Sequence, residues 1–224
     1  MTTPSKIERV LSALLSVATM IGVGILVESR INRTADAGFR QERIQGWTDV
    51  RPNVVTHIGE SSGDSELAMF TDYECPVCRA VDSALAGPKR DGTSAISSSI
   101  IHFPLPGHPN AMNAAVALEC AAAQGRASPM HRALFRNVQR FGKASWVSIA
   151  VDAGVPDTAK FAGCFERETP RKRIQEGINL GTKLKISGTP AYVIDGVLYD
   201  AAPFPEIQKA LSEVSSKART NNSR

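Results

Sequence analysis

Residues 70–78 read FTDYECPVC, which places two cysteines three positions apart behind a short apolar run. That run, ELAMFT at residues 66–71, has the length of a strand, and the residues after Cys75 read as a helix that Gly87 and Pro88 end. Cys75 would therefore lie at a helix N-terminus. Unpaired backbone N–H groups and the positive end of the helix dipole favour a thiolate there. We expect the pKa of this thiol to fall below its usual value of about 8.5.

Cys78 would lie nearly one helical turn from Cys75, within disulfide reach of it. Pro76 at the first helical position costs no hydrogen bond, because that N–H has no partner within the helix. Such a pair can exchange disulfides through a mixed-disulfide intermediate. Two alternatives stay open, namely half of a zinc site and an inert structural disulfide. Zinc would need further ligands, whereas Cys120 and Cys164 are isolated in the sequence.

The N-terminal region carries an uncharged stretch, VLSALLSVATMIGVGILV, at residues 10–27. As a helix it would span about 27 Å, enough for a bilayer core. We expect a membrane anchor, with residues 1–9 in the cytoplasm and a polar stalk at 28–46. A cleavable signal peptide is the alternative, although its apolar region is about 7 to 15 residues long. Either segment would export the rest of the chain if the N-terminus stays inside.

The composition gives no support for a nucleic-acid partner. The net charge is only +4, and the densest basic run, residues 171–173, lies on a predicted helix without a wider basic patch. Aromatic residues make up 6% of the chain, too few for a visible stacking platform.

The remaining pattern predicts an α/β domain with a block of helices inside it. A second strand is expected at 96–103, a hairpin at 191–199 around an Asp-Gly turn, and a closing helix at 204–215. Between the second strand and the hairpin the spacing predicts five helical segments, at 111–124, 128–138, 145–153, 158–166 and 171–184.

Three segments together resemble the DsbA-like thiol–disulfide oxidoreductase family of the thioredoxin superfamily. They are FTDYECPVC at 70–78, HFPLPGHP at 102–109 and GTPAYV at 188–193, and they occur in that family's order. The resemblance implies a thioredoxin fold at 47–216 with a helical insertion at about 107–184. We expect residues 217–224 to form a disordered tail.

The same resemblance implies the roles of the site residues. Cys75 would be the nucleophile and Cys78 its resolving partner. Pro190 would be cis and lie beside Cys75, leaving the backbone of Thr189 to pair with an extended client segment. The resemblance implies neither a cofactor nor a metal.

The resemblance also bears on Cys120 and Cys164, since some DsbA-like proteins carry a structural disulfide in the insertion. We expect these two cysteines to be paired. Two separate buried thiols are the alternative, because free cysteine packs as a small hydrophobe.

One departure from the family concerns the position six residues before Cys75, where many members place a buried acid and this chain has Met69. Deprotonation of Cys78 would then rely on water, the client, or another group such as Glu66 or Asp72. Release of a reduced client needs attack by Cys78, whereas delivery of a disulfide does not. The departure therefore favours an oxidase.

A second departure is the dipeptide between the cysteines, Pro76-Val77, which lacks the histidine of strongly oxidising members. We expect a somewhat less oxidising disulfide. The chain has four histidines: we interpret His102, His108 and His131 as structural or surface residues, and His57 has no evident partner.

These features predict an enzyme that introduces disulfides into exported proteins. Its partners would be unfolded or reduced exported proteins and a membrane redox protein, DsbB-like or similar to vitamin K epoxide reductase. A single-pass anchor in the cell membrane would leave the catalytic domain facing the periplasm or the cell exterior. The alternatives are a reductase or isomerase of the same fold, or a non-catalytic peptide- or metal-binding module.

Overall fold

The computed structural model describes residues 39–59, 65–85 and 96–222, with side chains as far as residue 217. The strands in these ranges are β1 (Arg40–Arg43), β2 (Val55–His57), β3 (Ser65–Thr71), β4 (Ile96–His102), β5 (Ala191–Ile194) and β6 (Val197–Asp200). The α-helices are α1 (Trp47–Val54), α2 (Pro76–Leu85), α3 (Ala111–Ala122), α4 (Ala127–Arg136), α5 (Trp146–Asp152), α6 (Thr158–Phe165), α7 (Glu168–Lys183) and α8 (Phe204–Asn222).

The six described strands form one sheet in the order β1-β6-β5-β3-β4-β2. Only β3 and β4 pair in parallel, as expected for strands joined through a crossover helix, here α2. Every residue of β3 is buried, because apolar side chains cover both faces of the sheet. On one face Ala68 and Phe70 pack with Leu180 of α7, and on the other Leu67 and Met69 pack with α2 and α8.

The helical block α3 to α7 lies between β4 and β5 in the chain, within the range predicted for the insertion. Its buried residues include Leu118, Met130 and Phe161, and they form one cluster that also contains Cys75 and Cys78. The core of the helical block therefore continues up to the two cysteines.

The hairpin β5–β6 turns at Asp195 and Gly196, both with positive φ (47° and 77°), as an Asp-Gly hairpin turn requires. The N–H of Glu66 donates to Asp195 Oδ1 (2.8 Å), which fastens the turn to β3. A Cβ at Gly196 would come within 3.3 Å of the Trp47 ring, so the close approach of α1 also favours glycine.

The predicted C-terminal boundary of the stalk, at residue 46, is wrong, because residues 40–46 belong to the folded unit. Arg40 to Arg43 pair antiparallel with β6, with Arg40 opposite Asp200. β1 is an edge strand that pairs through its backbone, and its middle residues are exposed. Its sequence therefore has no apolar pattern that would predict a strand. The lead-in that follows also forms structure, namely α1 and β2.

The predicted disordered tail is also corrected, since α8 continues to Asn222. None of the helices in the described ranges is both long enough and apolar enough to cross a membrane. The predicted anchor at 10–27, the N-terminus at 1–9 and the stalk as far as residue 38 lie outside the described residues.

Candidate active site

Cys75 caps the N-terminus of α2. Its carbonyl oxygen accepts a hydrogen bond from the N–H of Arg79 (3.2 Å), and its own N–H donates to the carbonyl oxygen of Asp72 (3.2 Å). Pro76 occupies the first helical position, where a missing N–H costs nothing. The N–H of Cys78 points back to Cys75 Sγ at 3.4 Å. This sulfur therefore receives a backbone donor and the positive end of the helix dipole.

The two thiols, both unpaired and buried, interact so that their pKa values move in opposite directions. The hydrogen bond from the Cys78 thiol, against the effect of burial and with help from the N–H groups of Cys78 and Val77, lowers the pKa of Cys75 to about 5. The same interaction, together with burial, raises the pKa of Cys78 well above its usual range. Near neutral pH the pair therefore holds one thiolate, on Cys75, and one thiol.

The loop before β5 lies against this pair. The Thr189–Pro190 peptide bond is cis, and Cys75 Sγ lies 3.3 Å from the carbonyl oxygen of Thr189. Val77, the second residue of the dipeptide, leaves 55% of its surface exposed beside the cysteines. The structure thus brings together the residues that the sequence singled out, and their catalytic roles stay predictions.

One proposed proton acceptor for Cys78 is wrong. Glu66 alternates along β3 with Met69, so the two side chains lie on opposite faces of the sheet. Met69 packs with Val81 of α2, whereas Glu66 Oε2 accepts hydrogen bonds from Trp47 Nε1 (3.2 Å) and Arg51 Nη1 (3.4 Å). The central sheet therefore separates the Glu66 carboxylate from the active-site helix.

Asp72, the other proposed acceptor, has its carboxylate engaged elsewhere. Its two oxygens accept from the N–H groups of Glu74 (2.7 Å) and Leu105 (2.8 Å), and Oδ2 also contacts His108 Nδ1 (2.7 Å). Toward Cys78 this residue offers its backbone, whose hydrogen bond acts to lower the pKa of that thiol. No carboxylate in the described ranges is hydrogen-bonded to the Cys78 sulfur.

A buried chain of three polar side chains joins the active-site segment to α4. The Tyr73 hydroxyl lies 2.8 Å from His131 Nδ1, and His131 Nε2 lies 2.7 Å from Asp82 Oδ1 on α2. Burial raises the pKa of Tyr73 well above its ordinary value, so its hydroxyl keeps its proton. The His131 ring thus links the Tyr73 hydroxyl to the Asp82 carboxylate. These three hydrogen-bonded side chains could not be predicted from the sequence, because they lie far apart along it and no local spacing links them.

The remaining histidines also have partners. His57 Nδ1 lies 2.8 Å from Ser99 Oγ, so the missing partner is found on β4. His102 Nε2 lies 2.9 Å from Glu119 Oε1. Burial alone would raise the pKa of Glu119, but His102, Thr56 and Arg173 outweigh it and lower that pKa.

Cys120 of α3 and Cys164 of α6 form a disulfide, with their Cα atoms 5.7 Å apart. The bond joins two helices of the inserted block. Across residues 39–59, 65–85 and 96–222 no group of three or more His, Cys, Asp or Glu side chains could hold a metal ion. The zinc alternative therefore has no ligand set in this part of the chain.

A family model described as thioredoxin matches residues 53–213. The chain belongs to the thioredoxin family. Three solved structures illustrate its fold. A thioredoxin-like oxidoreductase from Silicibacter pomeroyi has a TM-score of 0.62 at 24% identity, covering 77% of this chain and 99% of that one. Wolbachia pipientis alpha-DsbA1 has a TM-score of 0.60 at 16% identity, covering 75% of this chain and 94% of that one. Bacillus subtilis BdbD has a TM-score of 0.59 at 15% identity, covering 74% of this chain and 94% of that one. These neighbours confirm a thioredoxin-like α/β fold with a helical insertion and the resemblance to DsbA-like proteins.

Curated relatives of this thioredoxin-family chain include proteins named Na(+)/H(+) antiporter NhaA 1 from three strains of Mycobacterium, KMS, JLS and MCS. Each is 28% identical over 157 residues, which is 67% of this chain and 25% of the antiporter. The chain thus spans about a quarter of the length of these relatives, and the antiport activity in their names belongs to those proteins.

Proposed function

We propose that this protein is a thiol–disulfide oxidoreductase that introduces disulfides into exported proteins through Cys75 and Cys78. The observation that carries the proposal is the position of Cys75 Sγ at a helix N-terminus, 3.4 Å from the N–H of Cys78 and beside the cis-proline loop. This position lowers the pKa of Cys75, whereas that of Cys78 is raised. A sulfur of low pKa is a good leaving group in thiol–disulfide exchange. A disulfide that contains Cys75 therefore transfers readily to another dithiol.

The exchange runs in two steps. A client thiolate attacks Sγ of Cys75, the Cys75–Cys78 bond breaks, and the released Cys78 thiolate takes up a proton. The client's second thiolate then attacks the client sulfur of the mixed disulfide and expels Cys75 as a thiolate. Two electrons pass from the client to the protein, and the client gains one disulfide.

The surroundings of Cys78 favour this direction over reduction. In a reductase Cys78 must lose its proton in order to release a reduced client from the mixed disulfide. Burial, which acts to raise the pKa of Cys78, persists in the mixed disulfide, and no carboxylate in the described part of the chain is hydrogen-bonded to the Cys78 sulfur. In the oxidase direction the thiolate that leaves last is Cys75, which this site stabilises.

Location and partners belong to the same proposal. The Cys120–Cys164 disulfide favours an oxidising compartment, and the apolar stretch at 10–27 would anchor the chain there. A DsbB-like or vitamin K epoxide reductase-like membrane protein would take up the two electrons and restore the disulfide. A membrane-impermeant maleimide tests this placement, since it should label reduced Cys75 in intact cells.

The activity is tested with the full chain in detergent micelles and a reduced, unfolded client protein. The oxidised protein should form client disulfides, and Cys75→Ser should abolish turnover. With a client that already carries a disulfide, Cys78→Ser should trap a mixed disulfide, because its Cys75 thiolate attacks the client disulfide and expels a client thiolate. His57→Gln, a change at the Ser99 contact, serves as the matched control and should retain turnover. Full activity of Cys75→Ser would refute Cys75 as the reactive sulfur, and a wild type that forms no client disulfides would indicate a non-catalytic module. Efficient insulin reduction together with a potential near that of thioredoxin, about −270 mV, would identify a reductase.

A further inference from the structure

The loop between β4 and α3 is fastened to the turn that precedes Cys75. The carboxylate of Glu74 accepts hydrogen bonds from the backbone N–H (2.6 Å) and the side-chain amide (2.9 Å) of Asn110. The carboxylate of Asp72 lies 2.7 Å from His108 Nδ1. These contacts attach the loop to both acidic residues of the active-site turn. They place the His108 imidazole of the inserted segment beside that turn.

Two carboxylates and the Cys75 thiol fall within the four-residue turn at 72–75. The side chain of Asp72 is completely buried, Glu74 is partly buried, and Cys75 carries the thiolate. A buried carboxylate is costly unless an opposite charge or hydrogen bonds compensate it. His108, whose side chain remains 28% exposed to solvent, is hydrogen-bonded to Asp72, and this contact raises the pKa of its imidazole.

We propose that the imidazolium of His108 stabilises the Cys75 thiolate, so that the inserted segment supplies the positive charge that the Pro76-Val77 dipeptide lacks. His108 thus acts as a positioning and electrostatic residue for the exchange reaction. The inference deepens the proposed function and rests on it in one respect, namely that the reactive sulfur is Cys75.

Reciprocity of charge interactions supports this assignment. The hydrogen bond to Asp72 raises the pKa of His108 despite some burial, and the charges of Asp72, Glu74 and Cys75 raise it further. If the Cys75 thiolate favours the imidazolium, the imidazolium must favour the thiolate by the same free energy. The effect on Cys75 should be present below the pKa of His108 and disappear as the pH rises through it.

The first test compares His108→Gln with the wild type in the reduced full chain, by following thiolate absorbance near 240 nm from low to neutral pH. Glutamine keeps an N–H donor for Asp72 but cannot carry charge. We expect the Cys75 midpoint to rise by about 0.5 to 1 pH unit from its starting value. The equilibrium potential against glutathione should fall by roughly 15 to 30 mV, since a tenfold change in an equilibrium constant corresponds to about 30 mV. His57→Gln is the control and should change neither value.

The second test needs no substitution at His108 and so does not depend on a variant that folds. The NMR titration of the His108 ring is recorded in the reduced and the oxidised wild type, and oxidation removes the Cys75 charge. We expect a lower His108 pKa in the oxidised form, while His57 titrates alike in both. Identical His108 titrations in the two forms, or an unchanged Cys75 midpoint in His108→Gln, would overturn the inference. A wild-type Cys75 that titrates near pH 8.5 would instead contradict the proposed function itself.

Discussion

The replacement Cys78→Ala tests the origin of the low pKa of Cys75. The largest contribution to that pKa is the hydrogen bond from the Cys78 thiol, and the backbone N–H groups of Cys78 and Val77 add to it. Alanine removes the thiol donor and leaves both N–H groups in place. The variant therefore separates the contribution of the neighbouring sulfur from that of the helix N-terminus.

The expected size of the effect follows from the strength of the lost bond. A hydrogen bond to a charged group contributes about 1.5 to 3 kcal/mol, and one pKa unit corresponds to about 1.4 kcal/mol. Starting from a pKa of about 5 for Cys75, loss of the thiol donor should move its midpoint to roughly pH 6 to 7. The Cys75 midpoint should stay below about pH 8.5, because the helix N-terminus still stabilises the thiolate.

The assay is the rate of Cys75 alkylation by iodoacetamide as a function of pH, with thiolate absorbance near 240 nm as an independent measure. Cys78→Ser is the matched control, since its hydroxyl keeps a donor and should hold the midpoint closer to the wild-type value. A midpoint in Cys78→Ala equal to that of the wild type would refute the hydrogen bond as the main cause. An equal rise in Cys78→Ser and Cys78→Ala would refute the role of a donor at this position.

Three further outcomes are expected. Because the active-site thiol has a depressed pKa in the fold, the stability that its thiolate contributes is complete above about pH 8.5 and disappears as the pH falls through 5. The free energy of unfolding of the reduced protein, relative to that of the oxidised protein, should therefore rise by roughly 2.5 kcal/mol between pH 4 and pH 7, measured by guanidinium unfolding of both forms. Replacing Cys120 and Cys164 together by serine should cost about 4 kcal/mol in urea unfolding, because it opens a loop with a sequence separation of 44 residues. Tyr73→Phe leaves His131 Nδ1 without its hydrogen-bond partner and should cost about 1 to 3 kcal/mol in the same assay, and no loss would show that the contact is unimportant.

The elements that could be predicted from the sequence are those with a local cause. A continuous apolar run predicts β3, since a strand covered on both faces must be apolar throughout. The Asp-Gly pair predicts the hairpin, because positive φ values at both turn positions exclude most other residues. The two cysteines and the proline loop were recognisable for the same reason, since their chemistry lies in short segments.

The features that escaped prediction depend on distant partners. β1 is polar and exposed, and only its pairing with β6, more than 150 residues later, makes it a strand. Glu66 reads as an acid near the site, but strand alternation places it on the other face, against Trp47. The partners of His108 and His131 follow from how the inserted helices pack on the active-site turn, which no spacing along the chain specifies.

These long-range pairs make the inserted segment part of the redox site and not a separate cap. His108 contacts Asp72 on one side of the cysteines, and His131 contacts Asp82 on the other. In both pairs the imidazole comes from the inserted segment and the carboxylate from the β3–α2 region that carries Cys75. Moving the loop between β4 and α3 away from this turn would break the contacts that the N–H of Leu105 and the ring of His108 make with the buried Asp72 carboxylate. These hydrogen bonds therefore oppose separation of the insertion from the active-site turn, and in the proposed exchange a client would approach Cys75 from the side where Val77 is exposed.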